Sequence, residues 1–137
     1  MPIRLILLLF FISSCASPPH LRDSPPTRVE IIRKDYQSLA KCVNQKVEVS
    51  GVARKARMSV NEAQKVVRVY EPFGFVHNAM TFEFLFIHIK ENQTKVESYG
   101  YETMAGRAHY PNQIWPYVME CAGLEGPETR AVFPGTK

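Results

Sequence analysis

Apolar residues recur at spacings of three and four along the chain that follows Pro26. This period predicts an amphipathic helix over roughly residues 28–45, with an apolar stripe of Val29, Ile32, Tyr36, Leu39, Ala40, Val43 and Val47. Thr27 and Glu30 have the spacing of a capping box, which places the start of this helix at Thr27. Cys42 lies beside the stripe, where it can reach a packed neighbour.

The chain from Lys46 to Glu71 has a weaker pattern. Val47 to Val49 suggests a short strand ending near Gly51, and residues 59–62 can cap a further helical turn. The β-branched run 65–70 (KVVRVY) predicts a strand, so we favour a loop followed by a strand in this part of the chain.

Residues 80–90 form the clearest strand of the sequence. Both faces of this strand carry apolar side chains, which is typical of a central strand: one face has Phe82, Phe84, Phe86 and His88, and the other has Glu83, Leu85, Ile87 and Ile89. A polar turn at 92–94 leads into a second strand over 95–103, so we expect a hairpin.

A second helix is expected near the C-terminus. Pro116 suits its first turn, Gly123 can end it, and Cys121 lies on it, beside a short apolar face of Trp115, Val118, Met119 and Ala122. These elements predict an α+β domain, in which a small antiparallel sheet of three or four strands is backed by two helices. Such sheets serve many purposes, so the architecture does not name a function.

The N-terminal residues have the pattern of a signal peptide. Arg4 precedes the apolar run 5–12 (LILLLFFI), which is too short to span a bilayer and has the size of a signal-peptide hydrophobic region. The residues that follow, Ile12-Ser13-Ser14-Cys15, resemble the bacterial lipobox. The resemblance implies removal of residues 1–14, lipidation of Cys15 and, usually, acylation of the new amino group, as with palmitate. The alternative is an ordinary secretory signal with Cys15 present by chance.

The residues after Cys15 indicate a cellular location and a tether. No Asp follows the cysteine directly, so the resemblance implies an outer-membrane location facing the periplasm. Residues 15–26 contain four prolines and are expected to form a lipidated, extended tether. At roughly 3 Å per residue it would lift the domain about 30 Å. We place the single α+β domain at 27–124 and a flexible tail at 125–137.

The chain has three cysteines, and the lipobox accounts for one of them. Cys42 and Cys121 remain as an even pair in an oxidising compartment, so we predict one disulfide that joins the two helices. The alternative is a free thiol or a metal pair. It is less favoured because neither residue lies in a Cys-x-x-Cys motif or has a histidine at ligand spacing.

The sequence has no motif for a cofactor, a metal or nucleophilic catalysis, and we expect a non-enzymatic protein. No two histidines lie at ligand spacing among His20, His77, His88 and His109. Glu83 is the most notable carboxylate for a hydrolase that acts on envelope polymers. We favour instead the interpretation that Glu83 reaches solvent near a strand end or pairs with a lysine across the hairpin. The net charge of +4 is too small to indicate nucleic acid.

Two groups of residues are candidates for a contact surface. The first is a basic cluster that can meet phosphate or carboxylate groups of the envelope, formed by Arg54, Lys55, Arg57, Lys65 and Arg68. The second is the aromatic pair Phe73 and Phe75, which can anchor a partner protein. The plainer interpretations are a solvated loop and aromatic side chains that fold over a sheet edge.

We therefore expect a membrane-anchored envelope lipoprotein that acts as a partner-binding accessory or assembly subunit. Its partners would be the membrane, through the lipid on Cys15, and another envelope protein or an anionic envelope polymer. The alternatives are a binder or inhibitor of a periplasmic ligand or enzyme and, less favoured, a small hydrolase.

Overall fold

The computed structural model describes residues 21–53, 55–72 and 80–123. It opens with a 3-10 helix, Leu21–Asp23, which we call the N-terminal turn. The remaining elements follow in the order β1 (Arg28–Ile32), α1 (Tyr36–Ser50), β2 (Arg57–Asn61), β3 (Val66–Pro72), β4 (Met80–Lys90), β5 (Gln93–Gly100) and α2 (His109–Ala122). The proposed signal peptide and the tail 125–137 lie outside the described residues.

The fold is α+β, as predicted, but its sheet is larger than the sequence indicates. Five strands pair antiparallel in the order β1-β5-β4-β3-β2, where we expected three or four. Strands β2 to β5 follow one another as a meander, and β1 adds to β5 at the opposite edge. Both helices pack on one side of the sheet, and we call the other side the open face.

The helix predicted over 28–45 is wrong in its first part, which is strand β1. Arg28 and Ile32 are buried while Val29 and Ile31 are exposed, so the burial pattern has the period of a strand. Helix α1 begins only after Asp35, whose carboxylate accepts a hydrogen bond from the N–H of Ser38 at 2.9 Å. Thr27 does not begin a helix: it directly precedes β1, and its N–H donates to the Ser98 carbonyl of β5 at 2.7 Å.

The expected short strand at Val47 to Val49 is also wrong, because α1 continues to Ser50. Val47 is fully buried and continues the apolar stripe of the helix, together with Leu39, Ala40 and Val43. The helix ends at Gly51, whose φ of 73° lies in the left-handed region that glycine adopts without strain.

Strand β3 confirms the β-branched run, but the loop expected before it contains β2. Four of the five residues of β2 are exposed, so it lacks the buried apolar positions by which a strand is recognised in a sequence. Its pairing with β3 defines it as a strand, with Met58 opposite Val69 and Val60 opposite Val67.

The hairpin of β4 and β5 is confirmed, and β4 is the central strand of the sheet. Three phenylalanines are fully buried on the helix side: Phe82, Phe84 and Phe86. The ring centres of Phe84 and Trp115 lie 5.4 Å apart. The large buried aromatic area on this side anchors both helices to the sheet.

Helix α2 begins earlier than Pro116 suggests. We expected Pro116 in the first turn, but the helix starts at His109 and Pro116 lies inside it. Pro111 occupies the first turn instead. Pro116 cannot donate a backbone hydrogen bond, and the burial of Ile114 and Trp115 against the sheet offsets the free-energy cost of that missing bond. Gly123 ends the helix as predicted, with a φ of 74°.

The predicted disulfide between Cys42 and Cys121 is present and joins α1 to α2. A hydrogen bond from Lys34 Nζ to the Cys121 carbonyl (2.6 Å) lies at the same end of α2, and Lys46 pairs with Glu120. The disulfide closes a loop with a sequence separation of 79 residues, which restricts the unfolded chain strongly.

Replacing both cysteines (Cys42→Ser with Cys121→Ser) should lower the free energy of unfolding by about 4.5 kcal/mol, the loop-closure entropy of a loop of this length. Denaturant unfolding of the oxidised parent and the double variant measures the difference. A reductant should shift the unfolding midpoint of the parent and leave that of the variant in place. Equal midpoints for the parent and the variant would contradict the prediction.

Candidate contact surface

The exposed members of the basic cluster lie around β2. Lys55 precedes the strand, Arg57 is its first residue, and Lys65 lies in the turn between β2 and β3; all three are exposed. Lys65 has a φ of 53°, which shapes that turn. Arg54, Phe73 and Phe75 lie outside the described residues.

Strand β2 is an edge of the sheet and carries two exposed apolar side chains. Met58 is 40% exposed and Val60 is 47% exposed, on the side of the sheet that faces the helices. An edge strand has backbone N–H and C=O groups that no strand of the same sheet satisfies on its outer side. Met58 and Val60 were not among the predicted contact residues, because the sequence pattern of this segment indicates a loop.

A shallow groove runs between β2 and α1. It has a volume of about 220 Å³ and is lined by Gln37, Lys41, Met58, Val60, Glu62 and Val67. Half of its lining residues are apolar and the others are polar or charged, a mixture that also occurs in surfaces that bind proteins. A second groove, of about 490 Å³, lies beside the disulfide and is lined by Cys42, Gln45, Lys46, Val49, Ser50, Tyr117 and Glu120.

Arg68 does not belong to the exposed basic cluster. It lies on the open face of β3, where its Nε and Nη2 donate to Glu83 Oε2 at 2.9 and 2.6 Å. Its guanidinium also lies over the Tyr70 ring, 4.7 Å from the ring centre. The charge of Arg68 is therefore directed at a carboxylate of its own sheet, and the candidate surface reduces to Lys55, Arg57 and Lys65 in the described part of the chain.

Glu83 is fully buried on the open face, and the interpretation of it as a solvent-exposed or lysine-paired residue is wrong. Its cross-strand neighbours are Tyr99 and Tyr70. A second arginine, Arg22 of the N-terminal turn, donates from Nε to Glu83 Oε1 at 2.5 Å. Both carboxylate oxygens thus accept from guanidinium groups, which is the arrangement of a structural ion pair and gives a hydrolase mechanism no support.

The contacts of Arg22 place the N-terminal turn on the sheet. The turn contacts β4 and β5, and the chain after it is held by a hydrogen bond from Arg107 Nη2 to the Pro25 carbonyl at 2.7 Å. The part of the expected tether that the structure describes, from Leu21 onward, is therefore docked on the domain. Arg22 is 61 residues from Glu83 in sequence, so no local pattern indicates this contact.

Next to Glu83 on the open face lies Tyr99, whose hydroxyl donates to Glu97 Oε2 at 2.8 Å. Burial, followed by this hydrogen bond and the negative charge of Glu97, raises the pKa of Tyr99 to about 12. The phenol is therefore held in its neutral form well above ordinary pH.

The described residues offer little for other chemistry. They contain no group of three or more His, Cys, Asp or Glu side chains able to hold a metal ion. In the same part of the chain, no helix is long and apolar enough to cross a membrane. No protein-family model matches the chain, and comparison with curated proteins finds no similar protein.

The raised pKa of Tyr99 predicts a specific loss of stability in alkali. The unfolded chain releases the Tyr99 proton near pH 10, whereas the folded protein retains it to about pH 12. The stabilisation is therefore complete below pH 10 and lost as the pH rises through 12. In unfolding measurements between pH 9 and 12, Tyr99→Phe should lose less stability than the parent, with the exposed Tyr101→Phe as control. Equal pH profiles for the Tyr99→Phe variant and the parent would rule this out.

Proposed function

We propose that the protein is an envelope lipoprotein anchored through Cys15, and that its domain is a non-enzymatic accessory subunit that binds another envelope protein. The anchor is supported by the lipobox-like Ile12-Ser13-Ser14-Cys15 after a short apolar run. Disulfides persist in oxidising compartments, so the Cys42–Cys121 bond supports an extracytoplasmic location. The residues after Cys15 favour the outer membrane, with the domain in the periplasm.

The observation that carries partner binding is the β2 edge, which we define as strand β2 with Lys55 and Lys65. Its outer backbone groups can pair with an added strand, which is a recurring mode of protein recognition. Exposed Met58 and Val60 supply apolar contact on one side of such a strand. The exposed cations Lys55, Arg57 and Lys65 favour a partner with acidic residues.

In-cell photocrosslinking tests the partner. A photoreactive residue in place of Val60 should capture a defined envelope protein, whereas the same residue in place of Val49 should not. Val49 is a matched control because it is 89% exposed but lies on α1. In a second experiment the photoreactive residue replaces Met58, and Val60→Lys is added to the same chain. Val60→Lys should reduce capture, because a charge replaces an apolar contact.

Three results would contradict the proposal. Equal capture at positions 60 and 49 would mean that β2 has no specific partner. Crosslinks to glycan alone would favour an anionic envelope polymer over a protein. Failure of Cys15→Ser to abolish labelling by a fatty-acid analogue would remove the lipid anchor.

A further inference from the structure

The linker between the proposed lipid and the folded domain is much shorter than the tether expected from the sequence. Leu21 is the first described residue, and the N-terminal turn that it begins contacts β4 and β5. Only residues 16–20 separate Cys15 from Leu21. Six residue steps span at most about 20 Å even when fully extended. A lipid on Cys15 would thus keep the start of the N-terminal turn within about 20 Å of the bilayer surface.

The same contacts determine which side of the domain is near the lipid. Arg22 binds Glu83 on the open face, opposite the side that carries both helices. Because Glu83 is fully buried, release of Arg22 would leave part of a buried charge without its partner, which is costly. The open face is therefore the side on which the short linker leaves the domain.

The open face also has the surface chemistry of a membrane contact. One row of register neighbours crosses all five strands and consists of Ile31, Lys95, Ile87, Val66 and the polar Asn61. Ile31 is 60% exposed, and neighbouring Val29 on the same strand is 47% exposed. Exposed aliphatic side chains beside a lysine fit the boundary between lipid headgroups and acyl chains.

The charges of this face complement an anionic bilayer. On this face and the N-terminal turn docked on it, the described cations outnumber the carboxylates by four to three: Arg22, Arg57, Arg68 and Lys95 against Asp23, Glu83 and Glu97. Lys95, whose side chain is 39% exposed, pairs with Glu97 at 2.9 Å and lies within the aliphatic row. Cations near an anionic leaflet strengthen membrane binding.

We propose that the open face of the sheet lies against the surface of an anionic lipid bilayer, with Ile31 and Val29 inserted at the headgroup boundary and Lys95 near lipid phosphates. This orientation rests on the proposed lipid anchor at Cys15. The row containing Ile31 lies four residues along β4 from the row of Glu83, about 13 Å at the rise of a strand. The linker can therefore leave at one end of the face while the aliphatic row meets lipid at the other.

The test uses the full mature chain, lipidated at Cys15 and reconstituted in phosphatidylcholine vesicles with or without phosphatidylglycerol. The sequence has one tryptophan, the buried Trp115, so a second can be added at a chosen position and the parent signal subtracted. Ile31→Trp places the probe on the open face, and Val49→Trp is the control on α1. Brominated lipids then quench a tryptophan that reaches the acyl chains.

We expect bromolipid quenching of Ile31→Trp to exceed that of Val49→Trp by at least about twofold, since an interfacial side chain lies within reach of the bromines. Phosphatidylglycerol should increase the difference. Lys95→Gln should remove that increase, whereas Lys41→Gln, an exposed lysine on α1, should not.

The outcomes separate the orientation from the anchor. Equal quenching of the two probes in protein that floats with the vesicles would overturn the orientation and leave the lipid anchor intact. Protection of Ile31→Trp from aqueous acrylamide without bromolipid quenching would mean that a second copy covers the face, which also overturns it. If the chain does not float with the vesicles, both the anchor and the orientation fail.

Discussion

A carboxylate with no solvent exposure lies on the open face of the central strand, and the arrangement of that face follows from the need to neutralise it. Glu83 lies between two phenylalanines of the core, and strand alternation points it to the opposite side, so its partners come from the open face. An isolated buried charge costs several kcal/mol, and the two arginines offset that cost. Arg68 comes from the neighbouring strand, while Arg22 comes from the N-terminal turn and holds that turn on the sheet.

The ion pair between Arg22 and Glu83 holds the N-terminal turn on the open face, so the proposed membrane contact and the β2 edge lie on different sides of the sheet. The open face and the β2 edge are different sides of one sheet: the first lies opposite the helices, and the second is its lateral rim. A domain whose open face rests on a bilayer presents β2 sideways, toward a partner that lies in or on the same membrane. The disulfide holds α1 and α2 together on the far side, where α1 lines the groove beside β2. Anchor, orientation and partner contact are thus compatible within one small domain.

The features that the sequence predicted correctly are those with a local or strictly periodic cause. Strand β4, its hairpin with β5 and the stop at Gly123 belong to this group. The Cys42–Cys121 pair, 79 residues apart, followed instead from the number of cysteines. Strand β1 was mistaken for helix because Val29, Ile32 and Tyr36 have helical spacing, although pairing with β5 decides their conformation. Strand β2 is mostly exposed and owes its conformation to β3. The partners of Glu83 lie 15 and 61 residues away, and no local rule connects them.

If Glu83 holds the N-terminal turn through Arg22, the two side chains must be energetically coupled, and a double-mutant cycle measures that coupling. Unfolding free energies of the parent, Arg22→Gln, Glu83→Gln and the double variant give the coupling between the two side chains. We expect a coupling of at least about 1 kcal/mol, in the range measured for residues in direct contact. The exposed Arg33→Gln, combined with Glu83→Gln, should be additive. Additivity of Arg22→Gln with Glu83→Gln, within about 0.4 kcal/mol, would contradict the account.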